Sequence, residues 1–194
     1  NTGTITSRTA GSGGYSMGGL IGKAESTLNI KETTETTETP VVSVKNISIR
    51  ETTVNSKSEY AGGVAGSVAS TNIQNVDVEN IRLAGKNLGG LIGCVNGDAD
   101  VKNVKISSSY LANCSATQNA VGGFFGIING TFNGFNLLMS KDNVIGYAVK
   151  DNKLLSSVSS EALSNLSADS IGLQLNDKTY ATYSSLTANA SLQS

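Results

Sequence analysis

The sequence predicts an all-β protein: a parallel β-helix (β-solenoid) of about four to five coils with a non-repeating C-terminal cap or tail. Three observations predict it. A short glycine string recurs four times. A second string, centred on Asn or Gly, alternates with it. The two keep the same order, and the second holds a spacing of 28 to 31 residues, the signature of a stacked repeat whose single unit cannot bury its own inner face. The composition agrees. Ser, Thr and Asn supply 64 of 194 residues and aromatics only 5%. A conventional core would lack bulky side chains, whereas a stack of strands can hold polar residues in regular rows.

The glycine string reads Gly18-Gly-Leu-Ile-Gly22, Gly62-Gly-Val-Ala-Gly66, Gly89-Gly-Leu-Ile-Gly93 and Gly122-Gly-Phe-Phe-Gly126, with a degenerate fifth copy ending at Gly146. The paired glycines suit a sharp corner, and the last glycine of each copy suits close approach of an opposite wall. Its predicted inward column is Leu20, Val64, Leu91 and Phe124, followed by Ala24, Val68, Val95 and Ile128.

The second string reads Val44-Lys-Asn-Ile-Ser-Ile49, Ile73-Gln-Asn-Val-Asp-Val78, Val101-Lys-Asn-Val-Lys-Ile106 and Phe132-Asn-Gly-Phe-Asn-Leu137. Its apolar residues change parity at the centre, so a flat strand of period 2 cannot bury them all. A bend in the left-handed region at Asn46, Asn75, Asn103 and Gly134 restores the inward face, since Asn and Gly tolerate positive φ. The outward columns are then Lys45, Gln74, Lys102, Asn133 and Ser48, Asp77, Lys105, Asn136, all polar. Stacking makes Asn46, Asn75 and Asn103 vertical neighbours able to form amide ladders. A third inward position follows at Val54, Leu83 and Leu111.

These strings resemble the GLUG repeat, the Gly-Leu-x-Gly element of bacterial adhesin-like surface proteins and of the non-catalytic region of secreted IgA-cleaving metallopeptidases. The resemblance spans roughly residues 13–149. It implies an extracellular, secreted or cell-surface solenoid that binds a protein or glycan on a host or neighbouring cell, or serves as a stalk. It does not imply catalysis, and no cofactor is expected.

One column departs from the pattern. Ile21, Ala65, Ile92 and Phe125 should face outward yet are apolar, so they form a candidate partner-contact stripe. The cover for it is sought in residues 151–194, which leave the repeat of residues 1–150. There Ser159 or Ser160 would cap a short helix with Leu163 and Leu166 on one face. This tail is expected to pack on the stripe or to plug the end of the stack, whose bare strand edges invite aggregation. Self-association of copies over the stripe is the competing expectation. Length varies between copies at residues 55–61, 84–88 and 112–121 and in the Thr/Glu-rich insertion 31–40, the loops where contacts would concentrate.

Other chemistries find little support. A net charge of −1 gives no basic field for nucleic acid, and no apolar run is long enough to insert this segment in a membrane as a helix. With no His, the commonest general base and metal ligand are missing. The corner at 96–100 carries Asp98 and Asp100 but lacks the spaced ligands of a calcium loop. A carbohydrate-processing β-helix would need converging carboxylates, which the outward columns do not offer. Ice binding would need Thr in flat registered rows, whereas Thr clusters in the insertion. Cys94 and Cys114 read as two small buried residues, with a single bridge as the alternative. The chain opens without a charged and apolar leader, as expected of a mature form or an internal piece.

Overall fold

A computed structural model describes residues 3–6, 16–30, 42–50, 60–117 and 120–191, and within them the chain is all-β. The insertion 31–40, Val54 and residues 55–59 lie outside the described residues. β1 (Gly3–Thr6) comes before the first repeat, which supplies β2 (Ser16–Gly18), β3 (Ile21–Ile30), β4 (Val42–Lys45) and β5 (Ile47–Arg50). The second supplies β6 (Tyr60–Gly62), β7 (Ala65–Glu79) and β8 (Arg82–Gly85). The third holds β9 (Asn87–Gly89), β10 (Ile92–Val95), β11 (Ala99–Ser107) and β12 (Tyr110–Asn113). The fourth holds β13 (Val121–Gly122), β14 (Phe125–Ile128), β15 (Phe132–Met139) and β16 (Val144–Lys150). The tail adds β17 (Lys153–Leu154), α1 (Ser160–Ser164), β18 (Ile171–Asn176), β19 (Thr179–Thr182) and α2 (Tyr183–Ser191).

Equivalent strands of successive repeats pair side by side. One sheet runs β1-β5-β8-β12-β16-β18-β19, with β17 also on β16. A second runs β14-β10-β7-β11-β15, with β3 and β4 on β7, and a third runs β13-β9-β6-β2. Antiparallel pairing enters only with the tail, at β16–β17, β16–β18 and β18–β19. Every other pairing among the described residues is parallel. The first sheet is therefore mixed, unlike the wholly parallel stack that the repeat predicts. The tail departs because it turns back on β16 with a hairpin, which needs only a short connection.

The core follows from the register. Leu83 lies between Ile49 and Leu111, and Leu111 pairs onward with Ile145. Ile73 pairs with Val101, Val76 with Val104 and Val78 with Ile106, all fully buried or nearly so. Burying each such aliphatic side chain contributes about 1.5–3 kcal/mol. The third inward column thus contains Ile49, not Val54.

The second and third repeats each turn at two left-handed corners, and the first and fourth show one each among the described residues. The first corner has Asn75 (φ 56°), Asn103 (φ 51°) and Asn136 (φ 52°); the second corner has Asn46 (φ 56°), Asn80 (φ 52°) and Ser108 (φ 51°). Asn103 Nδ2 donates to Asn75 Oδ1 at 2.9 Å, and Asn136 Nδ2 donates to Asn103 Oδ1 at 2.9 Å. The amide ladder exists, but two of its expected members sit elsewhere. Asn46 accepts from Asn80 Nδ2 at 2.6 Å, because β4 pairs Val44 with Val78. In the last repeat the bend is Asn136, while Gly134 pairs with Val101. The reason is that both corners share one pattern. Val44-x-Asn-Ile-x-Ile49 matches Val78-x-Asn-Ile-x-Leu83 as well as it matches Ile73–Val78, and only the pairing separates them.

This geometry orders three variants. Asn103→Gly keeps the left-handed conformation but loses two exposed amide bonds, a cost of about 1 kcal/mol. Asn103→Ala adds left-handed strain of roughly 1–2 kcal/mol and is the less stable of the two. Urea denaturation should rank them wild type, Gly, Ala. Equal midpoints for Gly and Ala would contradict the strained bend.

The glycine string also differs from expectation. Ala65 and Ile92 are 0% exposed and belong to the aliphatic core; Ile21 and Phe125 are partly buried against it. The four do stack in one column. They do not form an exposed stripe, because in β7 and β10 both faces of this strand are buried. The glycine side lies on backbone: a Cβ on Gly66 would sit 2.3 Å from Met17 N, and one on Gly93 2.7 Å from Ala61 N. The alternate side, carrying Ala65 and Ile92, joins the core.

The tail does not pack on that column; of the two expected placements it takes one at the end of the stack, where β18 pairs with β16. Ser159 caps α1 by accepting from Ala162 N at 3.1 Å. Leu163 and Leu166 are buried in a second cluster with Ala84, Ala112, Cys114, Ala148 and Ile171. That cluster covers β8, β12 and β16, where small residues leave room for a helix. Tyr183 ties the last helix down by donating its hydroxyl to Ile145 O at 2.5 Å.

Candidate functional site

The side chains that interrupt the repeat chemistry sit on β15. In β7 and β11 the outward columns are polar: Gln74 pairs with Lys102, and Asp77 with Lys105. The next members are Phe135, opposite Lys102, and Leu138, opposite Lys105. They are 67% and 55% exposed. On the other face of the strand, Phe132 and Met139 are also exposed, although their partners Ala99 and Ile106 are buried. Phe132 stands edge-to-face on Phe125, with ring centroids 5.6 Å apart. β15 contains no charged residue and, among the described residues, pairs only with β11. A recess of about 180 Å³ lies beside it, lined by Asp100, Lys102, Asn133, Gly134 and Phe135.

The apolar patch expected on Ile21, Ala65, Ile92 and Phe125 is therefore found on a different strand. With the bend at Gly134, Asn133 and Asn136 fall in the outward columns and the face reads polar. With the bend at Asn136, Phe135 and Leu138 fall there instead. A preference for Asn over Gly at the bend, as in the two preceding repeats, would have revealed this surface in the sequence.

The remaining candidates hold structural positions. Asp98 Oδ1 accepts from Thr131 N at 2.9 Å and so joins two repeats across the corner. Cys94 and Cys114 are buried and are not joined in a disulfide. Burial pushes the Cys94 thiol up, against weaker opposite effects of hydrogen bonds from Tyr60 and Ser67. A thiol so placed is a poor nucleophile. Arg82 lies over the Tyr110 ring at 5.4 Å and donates to Asn80 Oδ1 at 2.5 Å, which holds the second corner. Among the described residues, no group of three His, Cys, Asp or Glu side chains could hold a metal ion. No helix there is long and apolar enough to cross a membrane.

One exposed carboxylate is strongly perturbed. Asp142 is held down to about 2, from 3.8, first by the Ser108 hydroxyl, which donates at 2.7 Å, and then by the Ser140 hydroxyl. Hydrogen bonds to the ionised form favour it. The stabilisation is complete above pH 3.8 and is lost as pH falls toward 2. A carboxyl-detected NMR titration should place the Asp142 midpoint near 2 and move it upward in Ser108→Ala. A midpoint unchanged by that substitution would contradict the assigned cause.

Comparison with protein-family models, curated proteins and solved structures finds no match to this chain. The resemblance to the GLUG repeat thus rests on its glycine and bend strings alone.

Proposed function

We propose that the chain is a β-solenoid segment of a secreted or surface-displayed bacterial protein, non-enzymatic, and used for adhesion or as a rigid stalk. The observation that carries this reading is the hydrogen-bonded row Asn136–Asn103–Asn75, whose members come from successive repeats. Rows of this kind form when strands of one winding chain lie parallel and in register. Parallel pairing of β5 with β8, β8 with β12 and β12 with β16 supports the same winding on a second wall. Neighbouring strands lie roughly 4.8 Å apart, so about four repeats make a short, axially stiff rod. Its surface would present contacts to a protein or glycan on a host or neighbouring cell.

The immobilised chain, screened against glycan and matrix-protein arrays, tests the adhesive role. Retention of one ligand class, competed by soluble chain, is the expected result. Incubation with acidic and neutral polysaccharides tests the non-enzymatic role. Turnover lost on replacing a single outward carboxylate would overturn it.

A further inference from the structure

We infer that β15 is a strand-acceptor edge: it takes up an extended segment of a partner protein, parallel to itself, whose sequence follows the repeat's own pattern of apolar, polar, Asn, apolar, polar, apolar. The inference rests on the strand register and stands whether or not the adhesive reading holds. Three features of the edge point to it.

The first is the backbone. β11 is flanked on both sides, by β7 and β15, whereas β15 pairs with β11 alone among the described residues. The tail does not cover it, since β18 and β19 extend the sheet of β16 instead. Open edges are normally protected by charge, Pro or a bulge, and an uncharged edge with apolar flanks is a template for pairing.

The second is the side chains. Phe135 and Leu138 replace the lysine positions of β11 on one face, and Phe132 and Met139 are uncovered on the other. Both faces of the same strand therefore expose apolar surface: the apolar residues of a further repeat strand would cover the face of Phe132 and Met139, and the aliphatic stems of its long polar residues would lie over Phe135 and Leu138, as Lys102 and Lys105 are placed beside them from β11. Scattered exposed apolar residues need no explanation, but these lie on one strand within eight residues.

The third is the bend. Asn136 turns at φ 52°, in register with Asn103 and Asn75. A strand bent in this way pairs along its whole length only with a parallel strand bent at the same place, so a straight or antiparallel segment fits poorly. The ladder is also polar. Asn136 and Asn103 donate from Nδ2 toward the preceding repeat, and Asn103 and Asn75 accept on Oδ1 from the following one. Asn136 Oδ1 ends the row and is positioned to accept from an incoming Asn. The β7–β11–β15 interface is thus continued by one more member.

The probe is a synthetic peptide of residues 99–107, the β11 sequence, added to the whole chain. Saturable amide NMR shifts confined to residues 125–139 are expected. The peptide's lysines would then lie opposite Phe135 and Leu138. In the Phe135→Lys/Leu138→Lys variant, two like-charge pairs should weaken binding about tenfold. A peptide carrying Lys102→Glu and Lys105→Glu should bind that variant again. The variant should fold, because β11 already carries lysines in these columns. Light scattering of the chain alone reports the rival occupant. No saturable shift, shifts outside residues 125–139, or a charge swap without effect would overturn the inference. So would a dimer that buries β15 against a second copy.

Discussion

Gly93→Ala should prevent folding or cost more than about 4 kcal/mol, the range reserved for backbone collisions and broken cores. A Cβ there would lie 2.7 Å from Ala61 N, 2.7 Å from Gly66 O and 2.9 Å from Ala61 O. All three atoms are backbone, on β6 and β7, so no rotamer can relieve the contact and whole strands must move apart. Gly123→Ala is the control. Its Cβ would meet the end of the Met139 side chain, which is 41% exposed and free to swing outward. That variant should stay within about 1 kcal/mol of wild type, as a surface change does. Circular dichroism and urea unfolding of both variants measure the difference. Comparable stability for the two would mean that the β6 and β10 backbones are not in contact.

The second large effect is Leu111→Ala, expected to cost about 3 kcal/mol. Leu111 is 1% exposed and lies between Leu83 and Ile145, so its removal leaves a cavity lined from three repeats. The strands on either side are held by parallel hydrogen bonds and cannot collapse into the space. Leu138→Ala removes the same atoms from a side chain that is 55% exposed and should change stability by less than about 0.5 kcal/mol. Urea midpoints with unchanged slopes would report the contrast directly. Near-equal losses would mean that the faces of these strands are assigned the wrong way round.

Much of the fold was legible from residue order. The alternation of glycine and bend strings located the strands, the all-β class and the need for left-handed Asn. Asn75 and Asn103 are bonded neighbours, as their 28-residue spacing required. Ser159 and Leu163 take the cap and apolar-face positions read for the short helix, whereas Leu166 is buried in the same cluster but lies past the helix C-cap, Asn165. The candidate surface was less legible. Its position depends on whether Gly134 or Asn136 is the bend, and a shift of two residues exchanges Asn133 and Asn136 for Phe135 and Leu138 in the outward columns. The apolar column Ile21, Ala65, Ile92 and Phe125 failed for another reason. Parity tells which residues share a face, but not whether that face is covered.

By itself, then, the sequence determined the chemistry of each repeat: where the backbone must turn left-handed, where no Cβ is tolerated, and which residues are apolar together. These are local properties, set by the steric limits of φ and by side-chain alternation. Tertiary structure alone decided which copy of a repeated pattern pairs with which, and whether the strand after each glycine pair is covered on one face or both. It also decided that the tail backs β8, β12 and β16 and that, among the described residues, nothing pairs with the outer edge of β15. Those outcomes turn on contacts between distant segments, and two corners of nearly identical sequence become distinguishable only when their neighbours are in place.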